Sequence, residues 1–337
     1  MRILVVGLGA IGQRHARNIQ ALRPGVELHA FRQRRLSHVV TDALLRDDLR
    51  DVEADLGVIP HETLGAALAA RPDAVVICNP SALHLGVAIE AAEAGCHLFI
   101  EKPVSHTADG LHRLQRVVAR KRLIVAMGCQ WRFHPCVVRL QELLARHALG
   151  APRKTEIHYA EYLPDWHPYE DYRTSYAARS EMGGGVVLTQ IHDYDLAWWL
   201  FGPVRSVSAS GGKLSDLEVD VEDTVQADLE TTTGSVLICQ SMATRPSRRS
   251  IRVDGSRATA MLDLLGGQLS VDPPVADGLV LQSFQRNEMF RAEMRDFLEC
   301  VETGGIPRAS LADGVAVLHV ALAVKESMRT GRPVRLT

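Results

Sequence analysis

The sequence predicts an α/β unit built on a parallel sheet, followed by an α+β unit with a large, mostly antiparallel open sheet. Three observations predict this. Short apolar runs alternate with helix-length segments through residues 1–128, the rhythm of a parallel sheet covered on both faces. Past Gly150-Ala151-Pro152 the segments instead alternate apolar and polar residues, as strands with one exposed face do. The length, 337 residues, exceeds what one core usually holds. Domains are therefore expected at 1–128 and 129–337.

In chain order, RILVV (2–6) reads as a buried strand and GLGAIGQRHARNIQAL as the turn and helix after it. VELHAF (26–31) is a second strand, and LGVIP (56–60) a weak third before the helical HETLGAALAA. DAVVIC (73–78) is a strand, 83–95 a helix ending on Gly95, 97–100 a strand, 107–121 a helix and 123–128 a strand. CQWRFHP then leads into the helix PCVVRLQELLARH. Alternation marks strands at 154–162, 205–212, 223–230, 234–243, 249–255 and 258–264. Helices at 288–303 and 311–330 close the chain, the first expected to pack back on the amino-terminal domain.

VVGLGAIG places Gly7, Gly9 and Gly12 in GxGxxG spacing. The run follows a strand and opens a helix, which is the context a dinucleotide-binding turn requires and which marks the parallel unit as Rossmann-type. Gly7 makes the tight turn, Gly9 lets backbone approach a pyrophosphate, and Gly12 lets the helix lie close to the strand. The first helical residues, Ala10 and Ile11, offer N–H groups to that anion. A glycine turn needed only for packing is the alternative. The second strand runs into AFRQRRL, with no acid where chains that bind NAD place one for the ribose hydroxyls. Guanidinium groups there pair with a 2′-phosphate, so the expected cofactor is NADP, with Arg32 and then Arg35 as its partners. Solvated arginines beside a bound NAD are the alternative.

CNPSALH (78–84) and IEKP (100–103) leave successive strands at their carboxyl ends, the edge where open parallel sheets bind ligands. Asn79, Pro80 and His84 are candidates to line a cofactor cleft, and Glu101 and Lys102 form its rim, with Lys102 toward the nicotinamide. Pro103 constrains the turn, and its peptide bond is a candidate cis bond.

Composition excludes other classes. A net charge of −2 gives no reason to expect nucleic acid or an anionic membrane as partner. No apolar run reaches the ~18 residues of a membrane span. MRILVVGLGAIG lacks a signal-peptide cleavage pattern. The six cysteines form no CxxC pair or metal-like cluster and read as reduced, mostly buried thiols of a cytoplasmic protein, with no metal expected.

The order GxGxxG, N-P-x-x-x-H, E-K-P and then GGGVVLTQIH resembles the Gfo/Idh/MocA family of sugar and polyol oxidoreductases over essentially the whole chain. The resemblance implies that Lys102 contacts the oxygen on the reacting carbon and stabilises it as alkoxide. It implies that His192 is the proton relay, a role its near-neutral pKa permits. It places Gln130, Trp131 and Arg132 near nicotinamide and substrate. The chain departs from the pattern at Thr189, where the family commonly has Asp; Asp193 and Asp195 lie nearby.

EYLPDWHPYEDYRTSYAARSEMGGG holds Tyr162, Trp166 and Arg173 in an aromatic-rich segment whose prolines, 164 and 168, disfavour a long helix. Rings that stack on sugar C–H faces and polar tips that meet hydroxyls suit a sugar pocket. Tyr, Trp and Arg are also enriched at subunit interfaces, so an interface is the alternative.

The expected function is hydride transfer between NADP or NAD and a secondary alcohol or ketone of a sugar, polyol or sugar derivative. Alternatives are a nonulosonic-acid or nucleotide-sugar dehydrogenase of bacterial surface-sugar metabolism, an enzyme that retains its cofactor through a transient oxidation, and a non-catalytic sensor. A homodimer or homotetramer is expected, formed through the open sheet face.

Overall fold

The structure, a computed structural model, describes residues 1–33, 38–41 and 44–336. It divides into two compact units, Met1–Gln130 with Arg286–Val315, and Trp131–Gln285 with Ala316–Thr337.

In unit 1 the elements run β1 Arg2–Val6, α1 Ala10–Leu22, β2 Glu27–Phe31, α2 Val52–Leu56, β3 Ile59–His61, α3 Leu64–Ala69, β4 Ala74–Ile77, α4 Ser81–Ala94, β5 His97–Glu101, α5 Leu111–Lys121 and β6 Val125–Gly128. The strands form one parallel sheet in the order β3-β2-β1-β4-β5-β6. The order reverses at β1, so the carboxyl edge around β1, β2 and β4 is where such a sheet binds ligands. Most of β1 and all of β4 is buried, the mark of parallel strands covered on both faces. The expected strand at 56–60 is displaced. Asp51 caps α2 by accepting from the N–H groups of Glu53 and Ala54, Gly57 ends it in the left-handed region, and buried Val52 and Leu56 hold it down. Leu56 is therefore helical, and the strand begins at Ile59. Residues 39–40 and 46–47 pair as a short antiparallel ribbon that the sequence did not announce.

Unit 2 contains α6 Pro135–Ala145, β7 Pro152–Tyr162, α7 Val186–Thr189, α8 His192–Phe201, β8 Val204–Gly212, β9 Thr224–Thr231, β10 Ser235–Ser241, β11 Ala243–Gly255, β12 Thr259–Asp263, β13 Gln268–Asp272, β14 Leu279–Val280 and β15 Val334–Arg335. Its nine-stranded sheet has the order β14-β13-β12-β11-β7-β10-β9-β8-β15. Every pairing is antiparallel except β7 with β10, which run parallel. Along β9, Val225, Ala227 and Leu229 are buried while Gln226, Asp228 and Glu230 are exposed, so one face is core and the other polar. The chain closes with α9 Asn287–Thr303 and α10 Leu311–Thr330. Within unit 1, α9 lies on α1, with Phe297 edge-on to Phe99 at 5.7 Å and Asn287 bonded to Asn18. Among the described residues, no helix is long and apolar enough to cross a membrane.

Candidate functional site

The glycine turn joins β1 to α1. Gly7 has φ +92°, and a Cβ on it would press on the backbone of Cys78 and Asn79 at 3.0 Å. A Cβ on Gly12 would collide with the carbonyl oxygen of Gly7, so only glycine lets α1 start this close to the strand. Gly9 is exposed, and a Cβ there would meet nothing within 4 Å. Packing therefore demands two of the three glycines and not the middle one. No side chain caps α1, and its first turn carries no acid. The N–H groups of Ala10 and Ile11 thus head a 13-residue helix whose positive end is not neutralised locally.

On the same sheet edge, Asn79 follows β4 and its Oδ1 is buried without a hydrogen-bond partner. Pro80 is the N-cap residue of α4. His84 is buried, with Nδ1 2.6 Å from the carbonyl oxygen of Pro103 and Nε2 2.7 Å from that of Asn79. It ties α4 to the Lys102–Pro103 turn, whose peptide bond is cis. Burial lowers the imidazole pKa, and the two carbonyl acceptors pull against that shift. Glu101 ends β5, buried, with Oε1 2.8 Å from His15 Nε2. Burial pushes this carboxyl up, but His15, Lys102 and His84 outweigh it and the pKa is lowered. Glu293 from α9 joins the group, its carboxylate within 4.8 Å of the His15 and Glu101 atoms. Cys78 beside them is a thiol that burial, with both carboxylates, pushes well above its ordinary range, so it stays protonated. Lys102 is half-buried, and Gln130 beyond β6 is buried.

Arg32 follows β2. Its Nε and Nη2 both donate to Glu53 Oε1 on α2, at 3.0 and 2.5 Å. Arg35 lies outside the described residues.

In unit 2, Thr189 ends α7 and its hydroxyl donates to the carbonyl of Gly185 at 2.7 Å. Gly184 is required here, since a Cβ would come within 2.6 Å of the Ala177 and Tyr176 carbonyl oxygens. His192 is the first residue of α8 and 4% exposed. Asp193 accepts from Gln240 Nε2 at 2.8 Å, and Gln240 also accepts from the Tyr194 hydroxyl. Asp195 takes the guanidinium of Arg132 in a bidentate pair at 2.7 and 3.0 Å, both side chains buried. Trp131 is buried and lies over Arg249, 4.6 Å from ring centre to guanidinium; Tyr159 stacks on the same guanidinium at 4.6 Å. Tyr162 carries the Arg245 guanidinium at 4.0 Å, and Arg245 pairs with Asp165. Trp166 Nε1 is buried without a partner. Arg173 is exposed and held by Asp171 and Glu218.

The structure thus gathers the glycine turn, Asn79, Pro80, His84, Glu101 and Lys102 on one edge of unit 1. In unit 2 it groups Trp131, Arg132, Thr189 and His192 around α7, α8 and β11, and sets Tyr162 at the end of β7 with Trp166 and Arg173 along the segment after it. Sequence reasoning missed His15, Glu53, Gln240, Arg249 and Glu293. Two of these had a signal. Arg249 shares the strand parity of buried Ile251 and Val253, and Gln240 that of Val236 and Ile238. A polar residue in phase with a core face is a buried polar residue.

Residues 1–129 match the family described as "Oxidoreductase family, NAD-binding Rossmann fold", and residues 137–261 match "GFO/IDH/MocA C-terminal domain". The first match makes the parallel unit an NAD(P)-binding Rossmann domain. The chain is 28% identical to scyllo-inositol 2-dehydrogenase (NAD(+)) of Bacillus subtilis, covering 100% of this chain and 96% of the relative. It is 28% identical to D-xylose 1-dehydrogenase (NADP(+)) 2 of Haloferax volcanii, over 78% of this chain and 80% of the relative. Among solved structures, UDP-N-acetylglucosamine 3-dehydrogenase of Acidithiobacillus ferrooxidans superposes with a TM-score of 0.76 at 25% identity, covering 98% of each chain.

Proposed function

This chain belongs to the Gfo/Idh/MocA family of oxidoreductases, and from that premise we propose that it moves a hydride between NAD(P) and a secondary alcohol or ketone of a sugar, polyol or sugar derivative. One observation carries the reading. A single sheet edge in unit 1 holds an uncapped helix N-terminus, a glycine whose outward face is open, and a buried Asn79 oxygen that lacks a partner. Those residues fit a dinucleotide: N–H groups for a pyrophosphate, open backbone for its approach, and an acceptor for an amide or hydroxyl.

When bound, NAD(P) supplies the hydride acceptor or donor at C4 of its nicotinamide. The N–H groups of Ala10 and Ile11 would hold its pyrophosphate. Lys102 polarises the substrate oxygen, and its ammonium stabilises the negative charge that develops there. His84 fixes the backbone that carries Lys102, through the carbonyl of Pro103. His192 accepts the hydroxyl proton in oxidation and returns it in reduction. Gln130, Trp131, Arg132 and Thr189 shape the surroundings of that chemistry. Arg132 does so through Asp195, which already takes its guanidinium. Tyr162, Trp166 and Arg173 serve the polyhydroxylated ligand. In this reading unit 1 is the dinucleotide domain and unit 2 the substrate and oligomerisation domain, and the molecule is a homodimer or homotetramer, which sedimentation would show. Between the two nucleotides the reading is NADP, because Arg32 stands where a carboxylate would select NAD.

A single-turnover experiment tests this. Protein stripped of nucleotide and reloaded with NADP or NAD is mixed with inositols, aldoses and UDP-sugars, each deuterated at the candidate carbon. Reduced nicotinamide carrying deuterium is the expected result. Lys102→Met and His192→Asn should each slow its formation by about 100-fold or more while nucleotide binding persists. Nucleotide binding without deuterium transfer from any substrate would overturn the reading and leave a sensor.

A further inference from the structure

We propose that Glu53 sets the balance between NAD and NADP by competing with the 2′-phosphate for Arg32. The proposal rests on the reading that unit 1 binds NAD(P) with its adenosine ribose beside the end of β2.

The acid that NAD-binding chains carry at the end of the second strand is missing here; Arg32 and Gln33 stand in its place. The structure supplies a carboxylate from elsewhere. Asp51 accepts from the N–H of Glu53 at 3.0 Å and of Ala54 at 2.9 Å, which fixes the first turn of α2 and aims Glu53 at β2. One oxygen of Glu53 takes both Nε and Nη2 of Arg32, and the pair is only 27% and 13% exposed, respectively. The two side chains line one cavity with Ala30, Pro60, His61 and Glu62, at the carboxyl ends of β2 and β3. The guanidinium edge that would fork onto a phosphate is thus already forked onto a carboxylate.

A 2′-phosphate must displace Glu53 or sit beside its charge. A 2′-hydroxyl need do neither, and it can donate to Glu53. The arginine therefore attracts NADP while the glutamate works against it, a repulsive element of the kind that sets specificity. Removing the carboxylate charge should release the arginine for the phosphate.

Calorimetric titration of nucleotide-stripped protein with NAD and with NADP tests this in wild type, E53Q, R32A and the double variant E53Q/R32A, with thermal unfolding of each free protein as the check on folding. The expected result is that E53Q tightens NADP binding by about tenfold or more and leaves NAD within about threefold. The gain should vanish in the double variant. Should E53Q unfold, E53A carries the same comparison. An unchanged NAD-to-NADP ratio in E53Q, or a gain that survives loss of Arg32, would overturn the proposal while leaving the dinucleotide reading intact. Binding of neither nucleotide by wild type would overturn both.

Discussion

Asp195→Ala removes one half of the Arg132–Asp195 pair on α8. Both side chains are at most 2% exposed, and the guanidinium makes bonds of 2.7 and 3.0 Å to the two carboxylate oxygens. The variant takes the Asp195 carboxylate away from a buried guanidinium that also lies beside the Trp199 ring at 5.6 Å. Breaking a buried pair from one side costs about 3–5 kcal/mol, mostly the penalty of the stranded charge. At roughly 2–4 °C per kcal/mol for a domain of 150–250 residues, the midpoint should fall by about 6–20 °C. Thermal unfolding followed by tryptophan fluorescence reads the shift and urea unfolding the free energy, since Trp131, Trp166, Trp198 and Trp199 all lie in unit 2. The decisive comparison is Arg132→Met/Asp195→Leu, which removes both charges and keeps volume. It should recover most of the loss, because well-packed apolar residues replace buried ion pairs at little cost. A single-variant cost below about 1 kcal/mol, or a double variant no better than the single one, would refute the assignment of the energy to charge burial.

Two glycine substitutions should separate packing from binding. Gly12→Ala drives a methyl into the Gly7 carbonyl and should destabilise unit 1, seen as a lower thermal midpoint. Gly9→Ala meets nothing within 4 Å, so the midpoint should stay put while calorimetry shows weakened NAD(P) binding. His134 caps α6, its Nδ1 accepting from the N–H of Cys136 at 3.2 Å, and burial pushes its pKa down to about 4. The folded pKa lies below the unfolded value of about 6.5, so its contribution is full above that pH and is lost as pH falls toward the folded value. Between pH of about 7.5 and 4, wild type should lose up to ~3 kcal/mol more than His134→Asn, which keeps a capping oxygen and does not titrate. Parallel urea curves at the two pH values check this, and equal losses would contradict it.

The sequence by itself determined what short-range pattern can carry. The glycine turn was legible because GxGxxG between a strand and a helix is a local spacing, and a Cβ on Gly12 would collide with the Gly7 carbonyl oxygen. The parallel sheet and the long alternating strands were legible because the periods of buried side chains are local properties. The sequence also exposed its own odd stretch, the charges of Glu101 and Lys102 after an apolar strand, which the structure places at the sheet edge. Tertiary structure alone decided the partners of the charges. Arg32 meets Glu53, Arg132 meets Asp195 63 positions away, and Arg249 is caged by Trp131 and Tyr159. It also decided that β7 and β10 run parallel within an otherwise antiparallel sheet. The reason is common to all four. A backbone pattern repeats over two to four residues and is written into them. A long charged side chain, or a strand edge, takes whatever partner the packing of distant elements brings within reach, and no local pattern encodes that partner.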